Sequence, residues 1–351
     1  MKIGILTFHW GTNYGAILQA YCLQEYLIEQ GYDVSIINYK PKQYDFSWLR
    51  IVKNPKSLIR ISRILSNRRK EALLEPFRNH YLKTTCRYYC ENDIKNDLDD
   101  FDIIISGSDQ VLNPSFTMYG DNGSPSNVYW LGVGSKEIKR LCYAVSFGCE
   151  SYPNNAAVIA KQCINKIDAI GVREQTGLHI LEQLDYKGPK VVLPDPTLLL
   201  GIKIFEKLGI DTRTNKSNYT CVYMLRYEIE ITGDVYYIDE KHSPLTLEQW
   251  LTTIINAGKL ITNSYHGMIM ALLAHVPFVV FFEKKCSMND RFYTLLSQLG
   301  IENRTATTIE EAQQILDQPI AFDEIDNAIE KYRMVGVNFL KQGIDYEYTT
   351  N

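Results

Sequence analysis

The hydrophobic positions of the chain come in short runs, and their spacing alternates between strand-like and helix-like. Residues 2–7 form an apolar run that predicts a first strand. Apolar residues then recur at helical spacing from 17 to 27, with Gly31 as a helix stop. Residues 33–39 predict a second strand. Two strands joined through a helix imply a parallel pair with a right-handed crossover, so the chain begins as an α/β unit.

Four further runs predict strands that each end at a small, polar or charged cluster. The runs are residues 102–106, 141–146, 167–172 and 190–193, and the clusters that follow begin at Gly107, Phe147, Arg173 and Asp195. In open parallel sheets the carboxyl ends of the strands line the ligand crevice. The pattern therefore predicts one site at which these strand ends converge.

A polar stretch at residues 201–217 separates this block from a second α/β block. Its predicted strands are 219–225, 234–238, 259–262 and 276–282, and its predicted helices are 247–257 and 265–274. We expect an α/β protein with two Rossmann-like parallel-sheet domains facing an interdomain cleft. The predicted boundaries are an N-terminal domain at 1–200 with a helical insertion at about 40–83, a C-terminal domain at 201–324, and a helix and tail at 325–351.

Charge is spread unevenly along the chain. The formal net charge is −4, which argues against general binding of nucleic acid. Residues 40–83 nevertheless hold twelve Lys or Arg against three Asp or Glu. This segment is either a pair of solvated surface helices or a patch that contacts an anionic membrane surface.

Apolar stretches and cysteines indicate the class of protein. The first strand is followed at once by polar residues, and the most apolar stretch, 268–282, is interrupted by His275 and Pro277. It is too short for a membrane span, so we expect a cytoplasmic protein. Eight cysteines occur without a C-x-x-C pair. Cys86, Cys90 and His80 lack an evident fourth ligand, so no metal is expected.

The strongest local motif is the segment 261–268, where a strand enters a polar turn and a helix begins. Ser264 can cap that helix, and its first-turn amides and dipole favour an anion. His266 lies in the first turn, where it can donate to a phosphate or act as a general acid. The alternative is an ordinary capping turn with a surface histidine.

Two other strand ends carry candidate chemistry. Asp109 follows Gly107 and can accept a hydroxyl proton or hold a sugar hydroxyl, although an Asx turn explains it equally well. Arg173 suits bidentate recognition of a carboxylate or phosphate, or else a structural ion pair with Glu174. The loop 11–15 lacks dinucleotide-binding spacing, but its backbone can approach a ligand or the facing domain.

The order of these motifs resembles the polysaccharide pyruvyl transferase family. The sequence lacks a P-loop, H-E-x-x-H, G-x-S-x-G and an EF-hand loop, which removes several common enzyme classes. The segments that carry the resemblance span about residues 3–285. They are Asn13-Tyr14-Gly15-Ala16, Gly107-Ser108-Asp109-Gln110 with Asn113-Pro114, Ser146-Phe147-Gly148, Val172-Arg173-Glu174, Asp195-Pro196-Thr197 and Thr262-Asn263-Ser264-Tyr265-His266-Gly267.

The resemblance implies a GT-B-like fold and an enzyme that transfers the enolpyruvyl unit of phosphoenolpyruvate to a hexose, often galactose, as a pyruvate ketal. It implies donor-binding basic residues at Arg173 and His266 and an acceptor-side acid at Asp109, and we expect these three residues to be catalytic. We expect the donor to bind at Arg173, Asn263, Ser264, Tyr265, His266 and Gly267, and the acceptor at Asn13, Tyr14, Asp109, Gln110 and Asn113. Phosphoenolpyruvate is a substrate, and we expect no cofactor. The family often has Trp where this chain has Leu112, which affects the expected acceptor pocket.

The expected acceptor is a repeat unit of a capsule or exopolysaccharide, carried on a polyprenyl diphosphate. Residues 40–83 would then bring the enzyme to the inner face of the membrane. Two alternatives stay open: a GT-B nucleotide-sugar glycosyltransferase, and a non-catalytic carbohydrate-binding or scaffold protein. The joint presence of Asp109, Arg173 and His266 disfavours the second.

Overall fold

The structure is a computed structural model, and it describes residues 1–45, 61–95, 97–135, 137–212, 216–225, 227–282 and 289–345. Residues 46–60 of the predicted basic insertion and the end of the predicted tail lie outside this part of the chain.

Two parallel sheets form the framework, as the sequence predicts. The first has the strand order β2-β1-β3-β4-β5-β6 and the second β11-β10-β9-β7-β8. Most central strands are buried on both faces, which explains their continuous apolar runs. The strands are β1 Lys2–Leu6, β2 Asp33–Ile36, β3 Ile103–Ser106, β4 Lys139–Val145, β5 Ala169–Val172, β6 Lys190–Val192, β7 Thr220–Tyr223, β8 Val235–Tyr237, β9 Lys259–Thr262, β10 Phe278–Phe281 and β11 Thr305–Ala306.

Helices connect the strands of both sheets. In chain order they are α1 Tyr14–Glu29, α2 Ile61–Tyr81, α3 Glu91–Ile94, α4 Pro114–Tyr119, α5 Asn154–Cys163, α6 Gln175–Gln183, α7 Pro196–Leu200, α8 Lys203–Lys207, α9 Leu247–Ile255, α10 Tyr265–Leu273, α11 Asp290–Leu299, α12 Ile309–Leu316 and α13 Phe322–Asp345.

The topology determines where a ligand can bind. In each sheet the chain starts at an inner strand, adds one neighbouring strand on one side and then continues on the other side. The strand order therefore reverses between β1 and β3 in the first sheet and between β7 and β9 in the second. Ligands of open α/β sheets bind outside the carboxyl ends of the strands at such reversals. Asp109 follows β3 and His266 follows β9, which places both motifs beside these points.

The last helix, α13, returns to the first sheet. Phe339 contacts Tyr143 of β4, with ring centroids 6.2 Å apart. A side chain at Gly336 would meet the Tyr143 hydroxyl at 2.4 Å, so the small residue permits the close approach. The helix thus packs on the N-terminal domain after the second sheet is complete.

Helix α2, the described part of the basic segment, packs partly against the C-terminal domain. Lys70 is 3 % exposed, and its Nζ lies 2.7 Å from Glu240 Oε2 and 3.9 Å from the ring centre of Tyr14. Ser66 Oγ donates to the Lys241 carbonyl at 2.5 Å, and Arg69 donates to the His242 carbonyl. Part of the positive charge of this segment therefore serves an interdomain contact.

Two features are absent from the described residues. No described helix combines the length and the apolar character that crossing a bilayer requires. In the same residues, no group of three or more His, Cys, Asp or Glu side chains is arranged to hold a metal ion.

Candidate active site

Asp195 is the centre of a buried polar cluster between the two sheets. It is fully buried and caps α7, and its Oδ1 accepts from Thr197 N at 3.0 Å and from Thr197 Oγ1 at 2.8 Å. Its Oδ2 accepts from Ser108 Oγ at 3.0 Å and from Arg173 Nη1 at 3.3 Å. His266 Nε2 lies 3.4 Å from the same oxygen. Side chains from three strand ends of the first sheet and one helix of the second domain therefore meet at one carboxylate.

Arg173 is surrounded by carboxylates. Besides Asp195, its guanidinium lies 3.7 Å from Asp109 Oδ1 and 3.8 Å from Glu174 Oε2, and its side chain is fully buried. Burial alone would lower the pKa of Arg173, but the three carboxylates hold that pKa above its usual value. The arginine is thus a permanent cation with acidic side chains on three sides.

The buried carboxyl groups differ in their acidity. Burial would raise the pKa of Asp195, but His266 and Arg173 together hold it well below its usual value. Burial raises the pKa of Glu174, although the nearby Arg173 opposes the shift. Two carboxyl groups on neighbouring strand ends are therefore biased toward opposite protonation states, an arrangement typical of acid–base sites.

His266 lies in the predicted turn, but it is buried. Ser264 Oγ accepts from Gly267 N at 3.2 Å, which is the predicted cap of α10. His266 is 6 % exposed, so the surface-histidine alternative is wrong. A Cβ at Gly15 would lie 2.0 Å from His266 Nδ1. The loop 11–15 therefore approaches the facing domain, and the glycine makes room for the histidine.

Asn263 and Tyr265 of the predicted donor turn fix the turn between the two domains. Asn263 Oδ1 accepts from Leu225 N at 2.7 Å, which ties the turn to the end of β7. The ring of Tyr265 is buried, and its centre lies 5.0 Å from the Arg173 guanidinium carbon and 5.5 Å from that of Arg291. Tyr265 thus lies beside two cations.

Most predicted acceptor residues lie together at the ends of β3 and β4. Asp109 has a positive φ of 80°, unusual for a residue other than glycine, and its Oδ1 accepts from Gln110 N at 2.9 Å. A side chain at Gly148 would collide with Gln110 and Asn113, so these residues adjoin. Asn113 caps α4 through Ser115 N. This group lies on the first-domain side of the cleft.

Asn13 and Tyr14 lie at the start of α1. Asn13 is exposed, and its Oδ1 accepts from Ala16 N at 3.1 Å, which caps the helix. Tyr14 is fully buried and stacks on Trp250, with ring centroids 5.2 Å apart. Its hydroxyl bonds to the backbone of Leu245 at 2.8 Å. The structure places Tyr14 at the domain interface, where its surface is already covered by protein.

Three residues of the cluster were not among the predicted site residues. Asp195 and Glu174 belong to segments that carry the family resemblance, and that resemblance could have identified them. Arg291 follows no motif and lies in α11, a helix that the hydrophobic pattern did not predict. Burial, with Arg173 nearby, lowers the pKa of Arg291 to about 10, which leaves it a cation at neutral pH. No ion pair within 4 Å joins it to a carboxylate of the described residues.

The cluster concentrates buried polar atoms that lack a hydrogen bond. In the described part of the chain, thirteen buried side-chain nitrogen or oxygen atoms have none, and five of them lie here. Leaving such an atom unsatisfied costs about 1–3 kcal/mol. The five are Arg173 Nε, Arg173 Nη2, Glu174 Oε2, His266 Nε2 and Arg291 Nε. The cluster can therefore gain hydrogen bonds from a polar ligand.

Comparison with solved structures identifies the fold. A protein assigned as a UDP-N-acetylglucosamine 2-epimerase from Listeria monocytogenes matches with a TM-score of 0.55 and 11 % identity, over 100 % of this chain and 97 % of its own. MnaA of S. aureus, in a co-structure with UDP, matches with a TM-score of 0.53 and 11 % identity, over 100 % and 98 %. The spinosyn forosaminyltransferase SpnP matches with a TM-score of 0.50 and 9 % identity, over 99 % and 100 %. The predicted GT-B-like fold is confirmed.

Comparison of sequences identifies the family. A search of curated proteins found no match. The family model described as polysaccharide pyruvyl transferase matches residues 13–281, most of the chain and all of the motifs in the cleft. The chain therefore belongs to the polysaccharide pyruvyl transferase family.

Proposed function

We propose that this transferase moves the enolpyruvyl unit of phosphoenolpyruvate to a hexose, galactose in our expectation, and forms a pyruvate ketal. The acceptor would be a polysaccharide repeat unit or its lipid-linked precursor. The observation that carries the proposal is the buried cluster of Asp109, Arg173, Glu174, Asp195 and His266 in the cleft of a chain from this family.

Donor binding requires cations and amide donors, because phosphoenolpyruvate is a trianion at its most ionised. The turn Asn263 to Gly267 opens α10, and the positive end of the helix dipole there favours a phosphate. Arg291 adds a cation that no described carboxylate pairs within 4 Å. We assign the donor carboxylate or phosphate to Arg173 and Arg291, with Arg173 also holding the three carboxylates in place.

Proton transfer is assigned to groups on opposite sides of the cleft. His266 would protonate the departing phosphate, and Asp195 beside its Nε2 would hold the ring in place. Asp109 is the partly exposed carboxylate of the cluster, with a side chain 17 % accessible, so a sugar hydroxyl can reach it. We assign Asp109 as the base or orienting group for the acceptor hydroxyl.

The acceptor would approach over Asp109, Gln110 and Asn113, which adjoin at the ends of β3 and β4. Asn13 at the start of α1 is exposed and can take part. Tyr14 is covered by Trp250 and the backbone of Leu245, so we assign it to domain contact in this proposal. For a polyprenyl-linked acceptor, residues 40–83 would supply peripheral contact with an anionic membrane surface.

The decisive experiment measures phosphate release from phosphoenolpyruvate in the presence of lipid-linked galactosides and glucosides. We expect release that depends on the acceptor and on His266, with His266→Ala reducing turnover roughly 10²- to 10⁴-fold. Near-normal turnover of His266→Ala would contradict the assignment. Absence of release by the wild type with every acceptor would contradict the proposed function.

A binding experiment separates the proposal from a nucleotide-sugar glycosyltransferase. MnaA, which shares the fold, was solved with UDP, so UDP and GDP are the comparison ligands. We expect phosphoenolpyruvate to raise the melting temperature and the nucleotides to leave it unchanged. The opposite ranking would favour the glycosyltransferase.

A further inference from the structure

Glu174 has one carboxyl oxygen that is held and one that is not. Its Oε1 accepts from Ser146 Oγ at 2.6 Å and from Phe147 N at 3.2 Å. Its Oε2 is buried, lies 3.8 Å from Arg173 Nε and makes no hydrogen bond. The two held contacts orient the group, so the second oxygen has a defined direction.

Glu174 lines a small cavity together with Arg291, whose Nε is also buried without a hydrogen bond. The other lining residues are Gln110, Ser146, Gly148, Cys149, Thr176 and Asp290. The cavity adjoins Gln110, one of the assigned acceptor residues. The cavity holds about 10 Å³, room for about one water molecule, so a bound enolpyruvyl unit would lie in the adjoining cleft with Glu174 and Arg291 beside it.

The other acids of the cluster are less suited to protonating a carbon atom. Both oxygens of Asp195 are engaged by protein donors. Asp109 accepts from Gln110 N and faces the guanidinium of Arg173. The Nε2 of His266 faces Asp195, and its Nδ1 packs against Gly15. Among these groups, Glu174 is the one whose oriented carboxyl group has a buried oxygen without a hydrogen bond.

The surroundings of Glu174 favour its protonated form. Burial raises the pKa of its carboxyl group, and Arg173, Arg291 and the donors Ser146 Oγ and Phe147 N oppose the shift only in part. A carboxylic acid with a raised pKa keeps its proton at a pH where an exposed glutamate has lost it. The charged and titratable groups that line the same cavity or interact electrostatically with it are Arg173 on its own strand end, Arg291 and Asp290 of α11, Cys149 after β4, Tyr265 of α10 and Tyr332 of α13.

We propose that Glu174 donates the proton that converts the methylene carbon of phosphoenolpyruvate into the methyl group of the ketal. The inference rests on the proposed function. The π electrons of the double bond form the new C–H bond with this proton, and the adjacent carbon becomes cationic. A sugar hydroxyl adds to that carbon and passes its proton to Asp109.

Phosphate then leaves with the electron pair of its C–O bond. The second hydroxyl adds, and its proton leaves with the phosphate through His266. One proton returns through solvent from Asp109 to Glu174, which restores the starting state. Two hydroxyl protons are thus consumed, one in the methyl group and one in the hydrogen phosphate.

The test compares Glu174→Gln with the wild type and with Glu182→Gln, a matched change at an exposed glutamate of α6. We expect Glu174→Gln to lower turnover roughly 10²- to 10⁴-fold. Its Kd for phosphoenolpyruvate, measured by calorimetry, should stay within threefold, because the amide keeps the contacts to Ser146 and Phe147. Glu182→Gln should match the wild type in both measurements.

The pH profile separates a proton donor from a structural residue. Wild-type turnover should fall as pH rises through the pKa of Glu174, because the proton is then lost, and the residual turnover of Glu174→Gln should lack this fall. Glu174→Asp keeps the acid but shortens its reach, so it should be slow and retain the fall, which also tests the idea if the glutamine variant does not fold.

Two outcomes would overturn the inference while leaving the proposed function intact. One is a turnover of Glu174→Gln within threefold of the turnover of an active wild type. The other is an unchanged fall at high pH in Glu174→Gln. Complete inactivity of the wild type with phosphoenolpyruvate would instead refute the proposed function.

Discussion

Two buried cations lie near the interface between the domains, and their surroundings differ. Lys70 pairs with Glu240, whose other oxygen accepts from the Tyr223 hydroxyl at 2.5 Å, and it lies over the ring of Tyr14. Arg173 is close to three carboxylates, yet two of its nitrogens, Nε and Nη2, make no hydrogen bond.

The difference indicates what each cluster does. A buried polar network in which every group is satisfied rigidifies the structure, whereas unsatisfied groups raise its energy. The Lys70 cluster therefore suits permanent contact between the domains. The Arg173 cluster suits the binding of a charged ligand, which can supply the missing hydrogen bonds. Four variants test this contrast.

The largest effect is expected from Asp195→Ala. The change removes the carboxylate that meets Arg173, His266 and Ser108, and it leaves buried polar groups without a partner. Breaking a buried pair by removing one partner costs about 3–5 kcal/mol. Urea unfolding should show a loss of this size, whereas Asp317→Ala, which removes an exposed pair with Lys259, should cost under about 1 kcal/mol.

The same variant has an expected pH signature. The pKa of Asp195 in the folded state is held below its unfolded value of 3.8. The carboxylate therefore stabilises the folded state fully above pH 3.8, and this stabilisation is lost as pH falls through the folded-state pKa. The free energy of unfolding of Asp195→Ala should therefore decline less between pH 4 and pH 2 than that of the wild type. Parallel declines would show that the carboxylate does not stabilise the folded state.

Arg291→Ala should reduce activity while leaving stability nearly unchanged. A hydrogen bond to a charged group is worth about 1.5–3 kcal/mol, so kcat/KM for phosphoenolpyruvate should fall by roughly 10- to 150-fold. The melting temperature should change little, because no described ion pair is lost. Arg333→Ala, which removes a surface pair with Glu330, serves as the control. Unchanged kcat/KM would remove Arg291 from the donor site.

Gly15→Ala tests the contact between α1 and His266. The new methyl group would lie 2.0 Å from His266 Nδ1, so one of the two must move. Overpacking of this kind costs about 1–3 kcal/mol. We expect lower turnover at unchanged KM for the donor, measured beside Gly11→Ala, where a methyl group meets nothing within 4 Å. Equal turnover in both variants would mean that the position of His266 is not critical.

Lys70→Met should have the smallest effect. It should lower stability and leave activity nearly unchanged, the reverse of Arg291→Ala. Glu240 keeps its bond to Tyr223, and its side chain is 28 % accessible, so water can replace the ammonium group. We expect a loss of about 1–2 kcal/mol in urea unfolding, with phosphate release near the wild-type rate. Adding Glu240→Gln should restore most of the stability. A marked loss of phosphate release with little loss of stability would contradict the contrast between the Lys70 and Arg173 clusters.

The strand pattern of the sequence was sufficient for most of the framework. Ten of the eleven described strands overlap a predicted run, nine within its bounds and β4 beginning two residues before it, because buried parallel strands leave a clear apolar signature. The exception is β11, which has two residues and gives no such run. Helices with mixed surfaces, such as α6 and α11, were not predicted. The basic segment, for which a pair of surface helices was one of two interpretations, has one described α-helix, α2, and its residues 46–60 lie outside the described part of the chain.

The sequence by itself determined the parallel α/β architecture, the family and the strand-end positions of Asp109, Arg173 and His266, because these depend on local spacing and motif order. Only the tertiary structure decided that Asp195 joins Arg173 to His266, that Tyr14 is covered at the domain interface and that Arg291 reaches the cleft. These facts depend on how two domains pack and on contacts between residues far apart in the chain, which no local pattern encodes.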